Sequence, residues 1–98
     1  MIKGVNEKEE AIIKSILGDY PYEFYYYGSR VKGDYTKSSD LDILLKSTVE
    51  VPYSVIDDIE LKFNESLVPY IVNISQSANM DEHFYNLIKD DLVKIEIM

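Results

Sequence analysis

The stretch 28-GSRVKGDYTKSSDLDI-43 contains the residues that say most about the fold and the chemistry of this chain. It follows an aromatic run, 22-YEFYYY-27, that is typical of a β-strand, and it leads into a second apolar strand over 41–45. Side chains alternate across a strand, so the carboxylates of Asp40 and Asp42 project from one face and Leu41 points to the other. An acid pair on one face of an apolar strand needs a chemical reason.

The acid pair favours a cation site. Two carboxylates this close repel each other, and the repulsion is relieved if one takes up a proton or a cation sits between them. Mg²⁺ binds a couple of carboxylates together with phosphate oxygens of a substrate, and Ser39 lies directly before the pair. We therefore predict that Asp40 and Asp42 bind Mg²⁺.

The glycines upstream supply the complementary phosphate side. Gly28 lets the backbone turn sharply and approach a ligand closely, and Ser29 offers a hydroxyl and an N–H group. A helical turn over 29–33, ended at Gly33, would point free N–H groups at an anion, and Arg30 adds positive charge. A phosphate cradle beside a metal-binding pair indicates nucleotidyl or phosphoryl transfer.

Composition limits the alternatives. The chain has 98 residues, which is enough for a single domain over 1–98. It has no cysteine and one histidine, so disulfides, thiolate metal sites and histidine-rich sites are excluded. The net charge of −8 disfavours direct nucleic-acid binding. No apolar run is long enough for a membrane helix, and the N-terminus lacks the apolar region of a signal peptide, so we expect a cytoplasmic protein.

Helices and strands alternate along the chain. Helices are predicted over 7–17, 54–67 and 80–91, with capping boxes at Asn6 and Asn79 and with Leu67 on the apolar face of the second. A third strand is predicted over 70–75 and a short edge strand over 92–97. The expected fold is a small α/β domain with a mixed sheet of three to five strands flanked by helices.

The segment 28–43 resembles the signature of the DNA polymerase beta-like nucleotidyltransferases, most closely the minimal (MNT-type) group, and the resemblance covers essentially the whole chain. It implies that Gly28 and Ser29 bind the triphosphate of ATP, that Arg30 can touch phosphate, and that the two aspartates hold Mg²⁺. The predicted nucleotide-binding residues are therefore Gly28, Ser29 and Arg30, together with Gly33 and Ser39. Minimal members often act as antitoxins that transfer AMP from ATP to a tyrosine of a HEPN-domain toxin, which would then be this chain's partner.

One departure from that family concerns the third strand. The family usually carries a third carboxylate there, and the matching residue is Asn73, which can donate an oxygen to a metal but cannot act as a base. Two interpretations therefore stay open. Either Asp40, Asp42 and Asn73 form a catalytic set, or the chain is a catalytically impaired module that neutralises a partner by contact. An aspartyl-phosphate hydrolase, which also uses Asp-x-Asp, gives the Gly28-Ser29 element no role.

Overall fold

The computed structural model describes residues 2–97. Four helices alternate with four strands, and two short 3-10 turns, Ser77–Asn79 and Lys89–Asp91, flank the last helix. In chain order the elements are α1 (Glu7–Leu17), β1 (Glu23–Tyr27), α2 (Ser29–Lys32), β2 (Leu41–Lys46), α3 (Tyr53–Asn64), β3 (Val72–Gln76), α4 (Glu82–Ile88) and β4 (Val93–Lys94).

The strands form one mixed sheet in the order β3-β2-β1-β4. The hairpin partners β1 and β2 are antiparallel, β4 adds antiparallel to β1, and β3 adds parallel to β2 after the α3 crossover. This confirms the predicted α/β class and the mixed sheet of three to five strands, and it confirms the short edge strand near the end of the chain.

The two faces of the sheet are covered to different extents. One face packs against α1 and α3 and holds the main core, which includes Phe24, Tyr26, Leu41 and Ile59. The other face has a small cluster in which Tyr27 and Leu44 meet Ile88 of α4. Because Asp42 alternates with Leu41 along β2, it lies on the lightly covered face, where a ligand can reach it.

The first helix forms as its sequence predicts. The Asn6 side chain accepts a hydrogen bond from the Glu9 N–H at 2.8 Å, and the Glu9 carboxylate accepts one from the Asn6 N–H at 3.1 Å. Both bonds of a capping box are therefore present, and Gly18 ends the helix. No helix within residues 2–97 is long and apolar enough to cross a membrane.

The other two long helices are shorter than predicted. The helix α3 ends at Asn64 because the Ser66 hydroxyl donates to the Phe63 carbonyl at 2.6 Å and turns the chain. Leu67, expected on its apolar face, is instead 90% exposed. The helix α4 is capped by Asp81, whose side chain accepts from the Phe84 N–H, since Asn79 belongs to the preceding 3-10 turn.

Two leucines of opposite burial give a direct test of this core. Leu45 is fully buried at 0% exposure, so Leu45→Ala should lower the free energy of unfolding by about 2–5 kcal/mol through lost burial and a cavity. The matched control Leu67→Ala should change it by less than about 0.5 kcal/mol. Urea denaturation measures both, and similar losses in the two variants would contradict the observed end of α3.

Candidate functional site

The site begins where the β1–β2 hairpin pairing ends. Tyr27, the last residue of β1, lies directly opposite Asp42 of β2, and Gly28 follows with a φ of +88°. A Cβ at position 28 would lie 2.5 Å from the Asp42 Oδ2 atom. Gly28 is therefore required for two reasons: the positive φ strains any other L-residue, and the carboxylate occupies the space of a side chain.

The turn after Gly28 folds into the predicted helical turn. The Gly28 carbonyl accepts the N–H groups of Val31 and Lys32, each at 3.1 Å, and this bonding begins the single turn α2. Gly33 ends the turn in the left-handed conformation, with a φ of +94°. Gly33 thus stops α2, and it does not line the cleft that contains Asp42.

The parallel pairing of β2 with β3 brings Asn73 beside the acid pair. Asn73 is the register partner of Asp42. Its amide nitrogen donates to Asp40 Oδ2 at 3.0 Å and approaches Asp42 Oδ1 at 3.5 Å. The structure therefore joins the three side chains that the sequence proposed as a catalytic set, and the neutral amide lies between the two carboxylates.

The electrostatics of Asp42 favour a cation. Partial burial raises the pKa of the Asp42 carboxyl, the hydrogen bond from Asn73 acts in the opposite direction, and the negative charge of Asp40 raises it further. The ionised pair is thus incompletely compensated by the protein itself, and a positive charge beside it would be stabilising.

A cleft of about 280 Å³ opens beside the acid pair. Within it the ring of Phe84 on α4 packs edge-on against Tyr27, with ring centroids 6.3 Å apart. Burial raises the pKa of the Tyr27 hydroxyl, which donates to the Ser75 hydroxyl at 3.2 Å. The residues lining the cleft are Tyr27, Gly28, Ser29, Lys32, Asp34, Asp42, Phe84, Ile88 and Asp91.

A larger cavity of about 800 Å³ lies elsewhere, at the opposite ends of the same strands. Its lining includes Glu23, the first residue of β1, and Lys46, the last residue of β2. It contains none of the residues that surround Asp42, so we place the chemistry in the smaller cleft.

The structure corrects the expectation for Arg30. This side chain is 4% exposed and donates to backbone carbonyls instead of reaching the cleft, so it is not placed to touch phosphate. The cation that lines the cleft with Ser29 is Lys32. Ser39, also expected at the nucleotide, uses its hydroxyl to accept the Thr36 N–H at 2.9 Å within the loop before β2.

The acid pair fits a Mg²⁺ ion that completes its coordination with other oxygens. Asp40 and Asp42 would hold the ion, and Asn73 could add its amide oxygen after rotating. Among the described residues, no group of three or more histidine, cysteine, aspartate or glutamate side chains is placed to hold one metal ion together. Two carboxylates with water and phosphate oxygens are nevertheless a donor set that Mg²⁺ accepts.

Comparison with known proteins shows the family of this chain. A family model described as a nucleotidyltransferase domain matches residues 7–98. The chain belongs to this nucleotidyltransferase family. It is 33% identical over 94 residues to the Haemophilus influenzae protein named "Probable protein adenylyltransferase MntA", with 94% of this chain and 82% of that protein covered.

A solved structure extends the likeness to the fold. A crystal structure of a Sulfolobus solfataricus protein assigned as a nucleotidyltransferase matches with a TM-score of 0.51 at 27% identity. The match covers 87% of this chain and 73% of that protein. The resemblance drawn from residues 28–43 is therefore confirmed at the level of the family.

Sequence reasoning missed the part of the cleft that comes from the end of the chain. Phe84 and Ile88 are four residues apart, so they lie on one face of α4, and Asp91 follows on the next turn. That spacing was visible, but it does not say which side of the sheet the helix covers. Asp91 lies 3.8 Å from the Lys32 ammonium, an exposed ion pair of the weak kind.

The raised pKa of Asp42 predicts that its ionised carboxylate lowers the free energy of unfolding. A carboxyl whose pKa is higher in the folded state stabilises the fold at low pH, and this contribution is lost as pH rises through the folded pKa. Asp42→Asn should therefore raise the free energy of unfolding at about pH 7, by less than about 1 kcal/mol because solvent screens a half-exposed group.

The difference between Asp42→Asn and the unchanged chain should shrink towards about pH 3, where the carboxyl is protonated. Urea denaturation at the two pH values, without divalent cations, measures it. A chain that is more stable with Asp42 than with asparagine at neutral pH would contradict the electrostatic description above.

Proposed function

We propose that this chain binds Mg²⁺-ATP and transfers AMP to a hydroxyl group of a partner protein. The observation that carries the proposal is the acid pair, Asp40 and Asp42, held beside the Gly28 turn with Asp42 only half-buried. A site that combines an incompletely compensated acid pair with a glycine-lined approach and a lysine suits a metal-bound triphosphate.

Each residue of the site would have a separate binding role. Asp40 and Asp42 hold the metal, Gly28 and Ser29 let the triphosphate approach the backbone, and Lys32 pairs with its charge. When bound, Mg²⁺ would neutralise charge that develops on the phosphate oxygens. The cleft would orient the α-phosphate towards the acceptor.

The transfer itself is a displacement at the α-phosphorus. The acceptor oxygen forms a bond to that phosphorus, the bond to the bridging oxygen of the β-phosphate breaks, and pyrophosphate leaves. The acceptor proton must pass to a base. Asn73, at the position where a third carboxylate is expected, cannot take it, so water would receive the proton directly.

The acceptor and partner are inferred from similarity. The MntA relative is named "Probable protein adenylyltransferase MntA". The MNT-type resemblance implies an antitoxin that modifies a tyrosine of a HEPN-domain toxin, and the cytoplasmic location is inferred separately, from the sequence. The net charge of −8 is compatible with a basic partner surface.

A second candidate function follows from the amide at position 73. A chain that binds nucleotide but transfers slowly could restrain its partner by contact alone. In that case the double variant Asp40→Asn, Asp42→Asn would still neutralise the partner, whereas an adenylylating antitoxin would lose this ability.

AMP transfer can be tested directly. The purified chain, Mg²⁺-ATP and a HEPN-domain protein are incubated, and intact mass spectrometry counts AMP units on the partner. We expect transfer by the unchanged chain, a loss of at least about a hundredfold in Asp42→Asn since the metal is lost, and faster transfer by Asn73→Asp, which restores a base. Asp57→Asn, on the exposed surface of α3, is the charge-matched control.

No AMP on a stably bound partner, with either the unchanged chain or Asn73→Asp, would eliminate the enzyme. The contact module would then remain as the function.

The assignment of the cleft cation gives a separate prediction. Lys32→Met should weaken Mg²⁺-ATP binding about tenfold, since a charge-assisted contact with phosphate is lost. Lys89→Met removes the same charge from an exposed position outside the cleft lining and should leave the affinity unchanged. Calorimetric titration compares the two, and equal affinities for all three proteins would exclude Lys32 from the site.

A further inference from the structure

Arg30 is a buried cation whose guanidinium is satisfied by the backbone. It donates to the carbonyls of Gly4 at 2.7 Å, Ser39 at 3.0 Å, Lys37 at 3.2 Å and Thr36 at 3.4 Å. No ion pair to Arg30 is present among the described residues. Such an arginine uses the geometry of its planar fork more than its charge.

Aromatic rings enclose the same guanidinium. Its central carbon lies 3.9 Å from the centroid of the Tyr70 ring and 5.1 Å from that of Tyr35. The Tyr70 hydroxyl in turn donates to Glu9 at 3.0 Å, and the Tyr35 hydroxyl donates to the Lys3 carbonyl at 2.9 Å. The side chain is therefore fixed in direction by its surroundings.

The N-terminal segment closes over Arg30 from the other side. The Gly4 N–H donates to the Arg30 carbonyl at 3.1 Å, which makes the contact between the two residues reciprocal. A Cβ at position 4 would lie 2.4 Å from the Arg30 Cβ, so only glycine allows this approach. The arginine thus ties the chain start, the turn α2 and the loop before β2 to one point.

The consequence for the acid pair lies in the loop. The carbonyls of Thr36, Lys37 and Ser39 are three of the four that accept hydrogen bonds from Arg30, and Ser39 directly precedes Asp40. Asp40 stands just before β2 and is not itself paired in the sheet, although the N–H of the next residue, Leu41, donates to the Ile71 carbonyl at 2.8 Å. The position of its carboxylate beside the Asn73 amide depends on where the loop ends.

We propose that Arg30 is a positioning residue that acts through the Ser39 carbonyl to hold Asp40 against Asn73 and Asp42. The metal-binding consequence rests on the function proposed above, but the positioning of Asp40 does not. The loop is exposed, so water can satisfy its carbonyls once the guanidinium is removed, and the loop end then loses its fixed place.

The test uses the Asn73 side-chain amide as a reporter. Its two proton signals in a proton–nitrogen correlation spectrum of the full chain report the hydrogen bond to Asp40, and Asp40→Ala supplies the spectrum without that bond. Arg30→Met and Arg30→Lys should both move the signals towards those of Asp40→Ala, because neither side chain can serve four carbonyls.

Lys37→Met is the matched control. It removes a positive charge from the same loop, but the Lys37 group that accepts from the guanidinium is the backbone carbonyl, which the substitution keeps. Arg30→Lys keeps the charge and provides the measurement if Arg30→Met does not fold. Asn73 signals at their original positions in either folded Arg30 variant, with main-core signals unchanged, would overturn the proposal.

Binding of Mn²⁺ alone, followed by electron paramagnetic resonance, gives the second measurement. The affinity should fall about tenfold or more in the Arg30 variants and stay unchanged in Lys37→Met. An unchanged affinity in the Arg30 variants overturns the positioning role. A chain that binds no Mn²⁺ before any substitution overturns the metal site of the proposed function, and the amide signals still decide the role of Arg30.

Discussion

The close contact between Gly28 and the Asp42 carboxylate is the constraint on which the site depends. The antiparallel register that pairs Tyr27 with Asp42 leaves Gly28, the residue after β1, facing that carboxylate, with room for a hydrogen and no more. Strand pairing, the sharp turn and the acid pair are therefore a single geometric unit. A change in the register would bring Gly28 against a different side chain and expose the main core at the same time, because strand side chains alternate in direction.

The charges of the cleft follow from how the chain distributes its few cations. The Arg30 guanidinium is hydrogen-bonded to backbone carbonyls beneath the loop, so it adds little positive electrostatic potential in front of Asp42. Lys32 faces the cleft, but Asp34, Asp42 and Asp91 line the same space. With three carboxylates and one ammonium around it, a polyphosphate gains little from entering alone. A divalent cation, as in the proposed function, would reverse this balance, because it would compensate the acid pair and the phosphate oxygens together.

The residues that could be predicted from sequence are those whose positions depend on neighbours in the chain. The capping box at Asn6 needs only local sequence signals, and it is present. Asp40 and Asp42 also lie on a common side, near the same Asn73 amide, but Asp40 precedes β2 and its position depends in addition on the loop before the strand. Leu67 and Arg30 were placed wrongly for a nonlocal reason. A serine hydroxyl ended α3 before Leu67, and the N-terminal segment folded back on Arg30 through the close approach of Gly4. Residue spacing within one segment carries no information about contacts with segments that are distant in the sequence.

Asn73 shows why the exchange of one carboxylate for an amide affects both states of the site. Without metal, the amide donates to Asp40 and approaches Asp42, which relieves the repulsion of the pair in a way that a third carboxylate cannot. If the metal of the proposed function binds, the same amide would have to give up those hydrogen bonds and present its oxygen instead. An asparagine at position 73 would therefore weaken metal binding in two ways, through the missing negative charge and through the contacts that must first be broken. Under the proposed function, position 73 would set the balance between a stable metal-free fold and an effective catalytic site.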